Sequence, residues 1–212
     1  PFQTLHNMGD NYGFLKNQND FVMAYISLGE VNEGASHFEK IKNETIGKNE
    51  NWNSHILDIN AKNTNKTLHY LIDKHLKTKD FDGLFLDNID NYTKFGPTPE
   101  KKENLVSFLD SVKNKYPDKL LIQNAGLLIL EDTHKFIDVV AIESIASNYE
   151  FKNNKYQLRN LEEYEKLIAD IESKQTQYNI PFFLIEYANN KQLKDQISER
   201  LKNRNISYFI SE

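Results

Sequence analysis

Along this chain, apolar runs repeatedly stop at an acid or an amide. The clearest case is Phe81-Asp82-Gly83-Leu84-Phe85-Leu86-Asp87-Asn88-Ile89-Asp90, where residues 83–86 are almost wholly apolar and Asp87, Asn88 and Asp90 follow at once. A carboxylate at the end of a buried strand is costly unless it is paired or put to use. The pattern recurs at Glu30 after residues 21–28, at Asp58 near the end of 54–59, and at Gln123-Asn124 after 119–123. It recurs again at Glu143 after 137–142 and at Glu186-Tyr187 after 182–185. Carboxylates accompanied by amides and by tyrosines such as Tyr25 and Tyr187 suit cleavage of a glycosidic bond. One acid protonates the leaving oxygen, and a second stabilises or attacks the oxocarbenium-like carbon. Crowded like charges also raise at least one pKa, so that one acid stays protonated near neutrality. A single acid at a strand end is most often a helix cap or a loop hydrogen-bonder; several such ends in one chain are harder to dismiss.

Other chemistries have less support. Cysteine is absent, which excludes disulfides, thiolate metal sites and a cysteine nucleophile. The six histidines form no HExxH or HxH pattern, and Ser27 lacks a Gly-x-Ser-x-Gly context. Asp87-x-x-Asp90 has hard-cation ligand types, but no further ligand motif accompanies it. Neither a metal nor a cofactor is expected.

The elements that must position these residues alternate between two periods. Residues 21–28, 54–59, 83–86, 119–123, 137–142, 182–185 and 206–210 read as strands. Apolar residues at helical spacing mark helices over about 64–78 and 98–116, after Leu161, and from Leu193 to Leu201. Thr98-Pro99 reads as a capped helix start, Gly126 opens a short helix, and residues 144–160 read as a long loop carrying Tyr149, Phe151 and Tyr156. Strand–helix alternation of this kind builds a parallel sheet. A doubly wound sheet is the alternative, but no Gly-rich phosphate loop follows the first strand. A (β/α)8 barrel fits better, because its active site lies at the carboxyl ends of the strands. Seven strands are one short, so the first is expected to be missing or incomplete, with residues 2–5 supplying at most a remnant.

Composition narrows the class further. A chain of 212 residues, 39% hydrophobic, can form a single globular domain over 1–212. Its net charge of −5 has no basic block to oppose it, which argues against nucleic acid as a partner. No apolar run approaches the roughly 20 residues needed to span a bilayer. Pro1 in place of Met implies that the start has been removed. A monomer is expected. Trp52, the one tryptophan, reads as core or rim packing.

Together these stretches resemble glycoside hydrolase family 114, whose known activity is endo-α-1,4-polygalactosaminidase. The resemblance is carried by Tyr25-Ile-Ser27-Leu-Gly29-Glu30, Trp52, Leu57-Asp58-Ile59 and the Phe81 to Asp90 stretch. It continues through Gln123-Asn124, Phe136-Ile-Asp138 leading to Glu143, and Glu186-Tyr187. It implies a (β/α)8 barrel, a secreted, periplasmic or cell-surface location, and endo-cleavage of a cationic amino-sugar polymer found in biofilm matrices. The family's catalytic acids would fall on Asp87, as nucleophile or charge stabiliser, and Glu143, as general acid/base. Tyr25, Ser27, Glu30, Asp58, Asn88, Asp90, Asn124, Glu186 and Tyr187 would hold the sugar. Two competing readings stay open: a barrel that binds a glycan without cutting it, and a metal-assisted hydrolase centred on Asp87 and Asp90.

Overall fold

The computed structural model describes residues 12–150 and 152–211. Residues 2–5, the expected remnant of a first strand, lie outside the described residues. The chain divides into two compact units, Thr4–Ile137 and Asp138–Glu212 with Pro1–Gln3.

In the Thr4–Ile137 unit, helix α1 (Tyr12–Gln18) precedes strand β1 (Met23–Ser27). Strand β2 (Glu30–Asn32), helix α2 (Phe38–Ile41), strand β3 (Thr45–Asn49) and strand β4 (Ser54–Leu57) come next. Helix α3 (Lys62–Asp73) continues as a π-helical stretch over Lys74–Thr78 and leads to strand β5 (Gly83–Asp87). Helix α4 (Lys102–Lys115), strand β6 (Leu120–Asn124) and helix α5 (Leu130–Thr133) complete the unit. Strands β1, β5 and β6 pair in parallel, with Ser27 beside Asp87 and Leu86 beside Gln123. The first four residues of β5 are buried, so both faces of the strand are covered, as its unbroken apolar run requires.

Gly83 fixes how closely β5 approaches β6: a Cβ there would stand 2.0 Å from the Leu120 carbonyl oxygen. That neighbour is backbone and cannot swing away. Gly83→Ala should therefore cost about 3 kcal/mol, at the upper end of ordinary overpacking penalties. Urea unfolding of the variant beside wild type checks this; an unchanged midpoint would refute it.

The expectation that residues 54–59 form a strand of the parallel sheet is corrected. Strand β4 pairs antiparallel with β2 and β3, and the Leu57 N–H donates to the Gly29 carbonyl at 2.9 Å. The strand is short and only its two end residues are buried. It therefore lacks the two-sided apolar cover of a parallel barrel strand. Its sheet closes over a separate cluster of Val31, Ile41 and Leu57. Thr98-Pro99 does open the helical segment, as a 3-10 turn over Pro99–Lys101 that runs into α4, but the Thr98 hydroxyl does not cap it and donates instead to the Asn91 carbonyl at 3.0 Å.

In the Asp138–Glu212 unit, strand β7 (Val139–Glu143) is followed by strands β8 (Ser147–Glu150) and β9 (Lys155–Leu158). Helix α6 (Leu161–Tyr178), strand β10 (Phe182–Tyr187), helix α7 (Lys191–Leu201) and strand β11 (Ser207–Ser211) follow. Strands β7, β10 and β11 pair in parallel, with Glu143 beside Ile185. Residues 144–160 are not the open loop expected; β8 and β9 form an antiparallel hairpin with Tyr149 opposite Tyr156. Among the described residues, six strands in all pair in parallel. None of the described helices is long and apolar enough to cross a membrane.

Candidate active site

Asp87 is half-buried at the carboxyl end of β5, and each of its oxygens receives a donor from a flanking strand. The Tyr25 hydroxyl of β1 donates to Oδ2 at 2.6 Å, and Asn124 Nδ2 of β6 donates to Oδ1 at 2.9 Å. The register explains the convergence. Ser27 lies beside Asp87, so Tyr25, two residues back on the same face, can reach forward with its long ring. Asn88 turns the chain with a left-handed backbone, φ 60°. Ser27 Oγ lies 2.6 Å from Asn88 Oδ1 and 2.7 Å from the Glu30 carbonyl oxygen, and its one proton serves one of them at a time.

Asp90 is exposed along part of its surface, yet desolvation of its carboxyl pushes its pKa up. The Gly126 N–H, donating to Oδ1 at 2.9 Å, opposes the shift, and the charge of Asp87 adds to it. Two expected sugar-binding acids are engaged by the protein itself. Glu30, 8% exposed, accepts from Asn49 Nδ2 at 3.1 Å, from Asn91 Nδ2 at 3.3 Å and from the Ser54 hydroxyl. It thereby ties β3 and β4 to the turn after β5. Asp58 accepts from Asn60 N at 3.0 Å and from Lys101 Nζ at 3.1 Å. Trp52, read as packing, is instead 71% exposed in the turn between β3 and β4.

In the other unit, Glu143 ends β7 in solvent, and the Tyr187 hydroxyl of β10 donates to its Oε2 at 2.6 Å. Tyrosine thus orients the carboxylate at each of these two strand ends. Directly behind Glu143, Ser144 is left-handed at φ 57°, as Asn88 is behind Asp87 and Ala125 (φ 61°) is behind Asn124. Such backbones cost an L-residue about 1–2 kcal/mol. They persist only where the surroundings over-determine them.

Around Ser144 those surroundings are visible. Glu186 is fully buried, and its Oε1 accepts from the N–H groups of Ile145 (3.0 Å) and Ala146 (2.8 Å). Its Oε2 accepts from the Ser147 N–H (2.8 Å) and hydroxyl (2.6 Å). Burial pushes the Glu186 carboxyl above its ordinary pKa, in spite of these donors. Arg159 holds the opposite side of the segment: Nε donates to the Ile145 carbonyl at 3.0 Å and a terminal nitrogen to the Ser144 carbonyl at 2.8 Å. Sequence reasoning missed Arg159 and Ser147, which carry no spacing signal. Among the described residues, no group of three or more His, Cys, Asp or Glu side chains could hold a metal ion.

The model of glycoside-hydrolase family GH114 matches residues 4–212. No curated protein matches the sequence. The structure is similar to the glycoside hydrolase domain of PelA from Pseudomonas aeruginosa, with a TM-score of 0.80 at 23% identity, over 95% of this chain and 81% of that one. It is also similar to Aspergillus fumigatus Ega3, solved in complex with galactosamine, with a TM-score of 0.72 at 18% identity, over 95% of this chain and 78% of that one. These likenesses establish the fold as TIM-barrel-like α/β, with six parallel strands among the described residues where the sequence suggested seven.

Proposed function

The chain belongs to glycoside-hydrolase family GH114, and from that premise we propose that it is an endo-acting hydrolase of an α-1,4-linked, galactosamine-containing polysaccharide of the biofilm-matrix type. The observation that carries the reading is the pair of tyrosine-held carboxylates, Asp87 and Glu143, each closing a buried parallel strand. Glu143 is the general acid: its proton passes to the glycosidic oxygen as the C–O bond breaks. Asp87 attacks or stabilises the oxocarbenium-like carbon, and water supplies the hydroxyl that completes the new reducing end. Tyr25 and Asn124 orient Asp87, and Tyr187 orients Glu143. Ser27, Asn88 and Asp90 complete the sugar-binding set. Glu30, Asp58 and Glu186 serve it through the backbone they hold.

Ega3 in complex with galactosamine supports the choice of sugar, and the net charge of −5 suits a polymer of partly protonated amines. The polymer is an extracellular material, so a secreted, periplasmic or cell-surface location goes with it. One domain over residues 1–212 acts as a monomer and needs neither metal nor cofactor. The test is release of reducing ends from deacetylated α-1,4-galactosaminan, with binding of the polymer measured in parallel. Release by wild type supports the reading. Binding without release would leave a glycan-holding module in its place, and activity abolished by a chelator would shift it to metal-assisted hydrolysis.

A further inference from the structure

The hairpin of β8 and β9 carries an aromatic cluster beside Glu143. Tyr149 and Tyr156 are directly opposed on its two strands, with ring centroids 5.0 Å apart and planes at 59°. Tyr156 in turn stacks on Tyr187, at 5.4 Å with planes within 16°, and Tyr187 is the residue whose hydroxyl holds Glu143. The phenol of Tyr156 is pushed up first by burial, then by Tyr149 and by the charge of Glu143. All four side chains therefore share one environment. A cluster that served only to pin the hairpin would bury its rings. Here Tyr149 keeps 36% of its surface in solvent, and the neighbouring carboxylate is exposed.

We propose that Tyr149, Tyr156 and Tyr187 form a sugar-stacking wall that holds one hexosamine ring of the polymer next to Glu143. A pyranose presents an apolar C–H face to a π surface while its hydroxyls point outward, and a protonated amine on the sugar adds a cation–π attraction. The exposed carboxylate at the end of the wall supplies the opposite charge. Tyr156 props the wall from behind, and Tyr149 forms its solvent edge. This subsite rests on the hydrolase reading above, and its test keeps the two apart.

Tyr149→Ala and Tyr149→Leu are compared with wild type for KM on galactosamine oligosaccharides. They are also compared in the Glu143→Gln protein for binding of the same oligosaccharides by calorimetry. Both variants should raise KM and weaken binding about tenfold, the scale of one lost stacking contact. Tyr149→Trp should bind at least as tightly as wild type. The leucine variant keeps apolar bulk on the hairpin without a π face, so it answers the question even if the alanine variant unfolds. Cleavage by wild type with unaltered KM and binding in the leucine variant overturns the subsite and leaves the hydrolase standing. Binding that depends on Tyr149, in a protein that never cleaves, keeps the subsite and removes the hydrolase. Absence of both binding and cleavage overturns both.

Discussion

Glu143→Gln should lower turnover of deacetylated galactosaminan by about a thousandfold, within the roughly 10²–10⁴ that a positioned general acid contributes. Its unfolding midpoint should stay at the wild-type value. Glu143 is exposed, so the change leaves no charge or donor buried, and the Tyr187 hydroxyl can still donate to the new amide oxygen. Asp87→Asn should cost at least as much turnover. It also replaces an acceptor of two hydrogen bonds by a group that both donates and accepts, beside Tyr25 and Asn124. The roles separate with a substrate whose leaving group needs no proton, such as an aryl glycoside. On that substrate Glu143→Gln should recover most of its loss, while Asp87→Asn should stay inactive. Full activity of Glu143→Gln on the polymer would remove Glu143 from the reaction. Recovery of Asp87→Asn instead would exchange the two roles.

Both acids are legible in the sequence because each ends a run of apolar residues without alternation. That pattern has one reading in a two-sided sheet: a strand covered on both faces whose last residue emerges. Residues 54–57 broke the inference. They are short and semi-apolar too, but they are buried at only two positions and turn back on Glu30–Asn32. A run of four residues does not say whether its partner is parallel or antiparallel. The hairpin over residues 147–158 was concealed by its polar composition. Its signals were the alternation of Tyr149 and Tyr156 with polar residues and the Asn153-Asn154 turn, where Asn154 has φ 48°.

The harder distinction was between the carboxylates proposed to face the sugar and those that the protein's own donors engage. Glu30, Asp58 and Glu186 look like Asp87 and Glu143 in sequence, since each follows an apolar run. What separates them is the set of partners, and those come from afar: Glu186 meets residues 39 to 41 positions away. One sequence without coordinates cannot display such pairings. The position of Glu186 on β10, on the same face as buried Phe182 and Leu184, does hint at the answer. The burial pattern of β10 keeps Glu186 inside and turns Tyr187 partly outward.

Removing Glu186 should therefore affect the fold first and turnover through it. Glu186→Ala strands the N–H groups of Ile145, Ala146 and Ser147 together with the Ser147 hydroxyl. It should lower unfolding free energy by about 3–5 kcal/mol, because several buried donors lose their acceptor at once. Glu186→Gln should cost less, about 1–3 kcal/mol. Its oxygen can still serve Ile145 and Ala146, and the Ser147 hydroxyl can turn to accept, but the Ser147 N–H then faces another donor. The pH dependence follows from the sign of the shift. Burial raises the folded pKa of Glu186 above its ordinary 4.5, so the neutral acid is the form that the fold favours. Its contribution is complete below that value and is lost as pH rises through the raised pKa. The stability advantage of wild type over Glu186→Gln should thus shrink as pH rises from below to above the ordinary carboxyl value of 4.5. Urea unfolding of both proteins over a series of rising pH values measures it. An advantage that grows with pH would mean that the four donors outweigh burial and that Glu186 is held ionised. In either case Glu186 holds the segment behind Glu143 through the N–H groups of Ile145, Ala146 and Ser147. Variants that loosen it should lose kcat even where the protein remains folded.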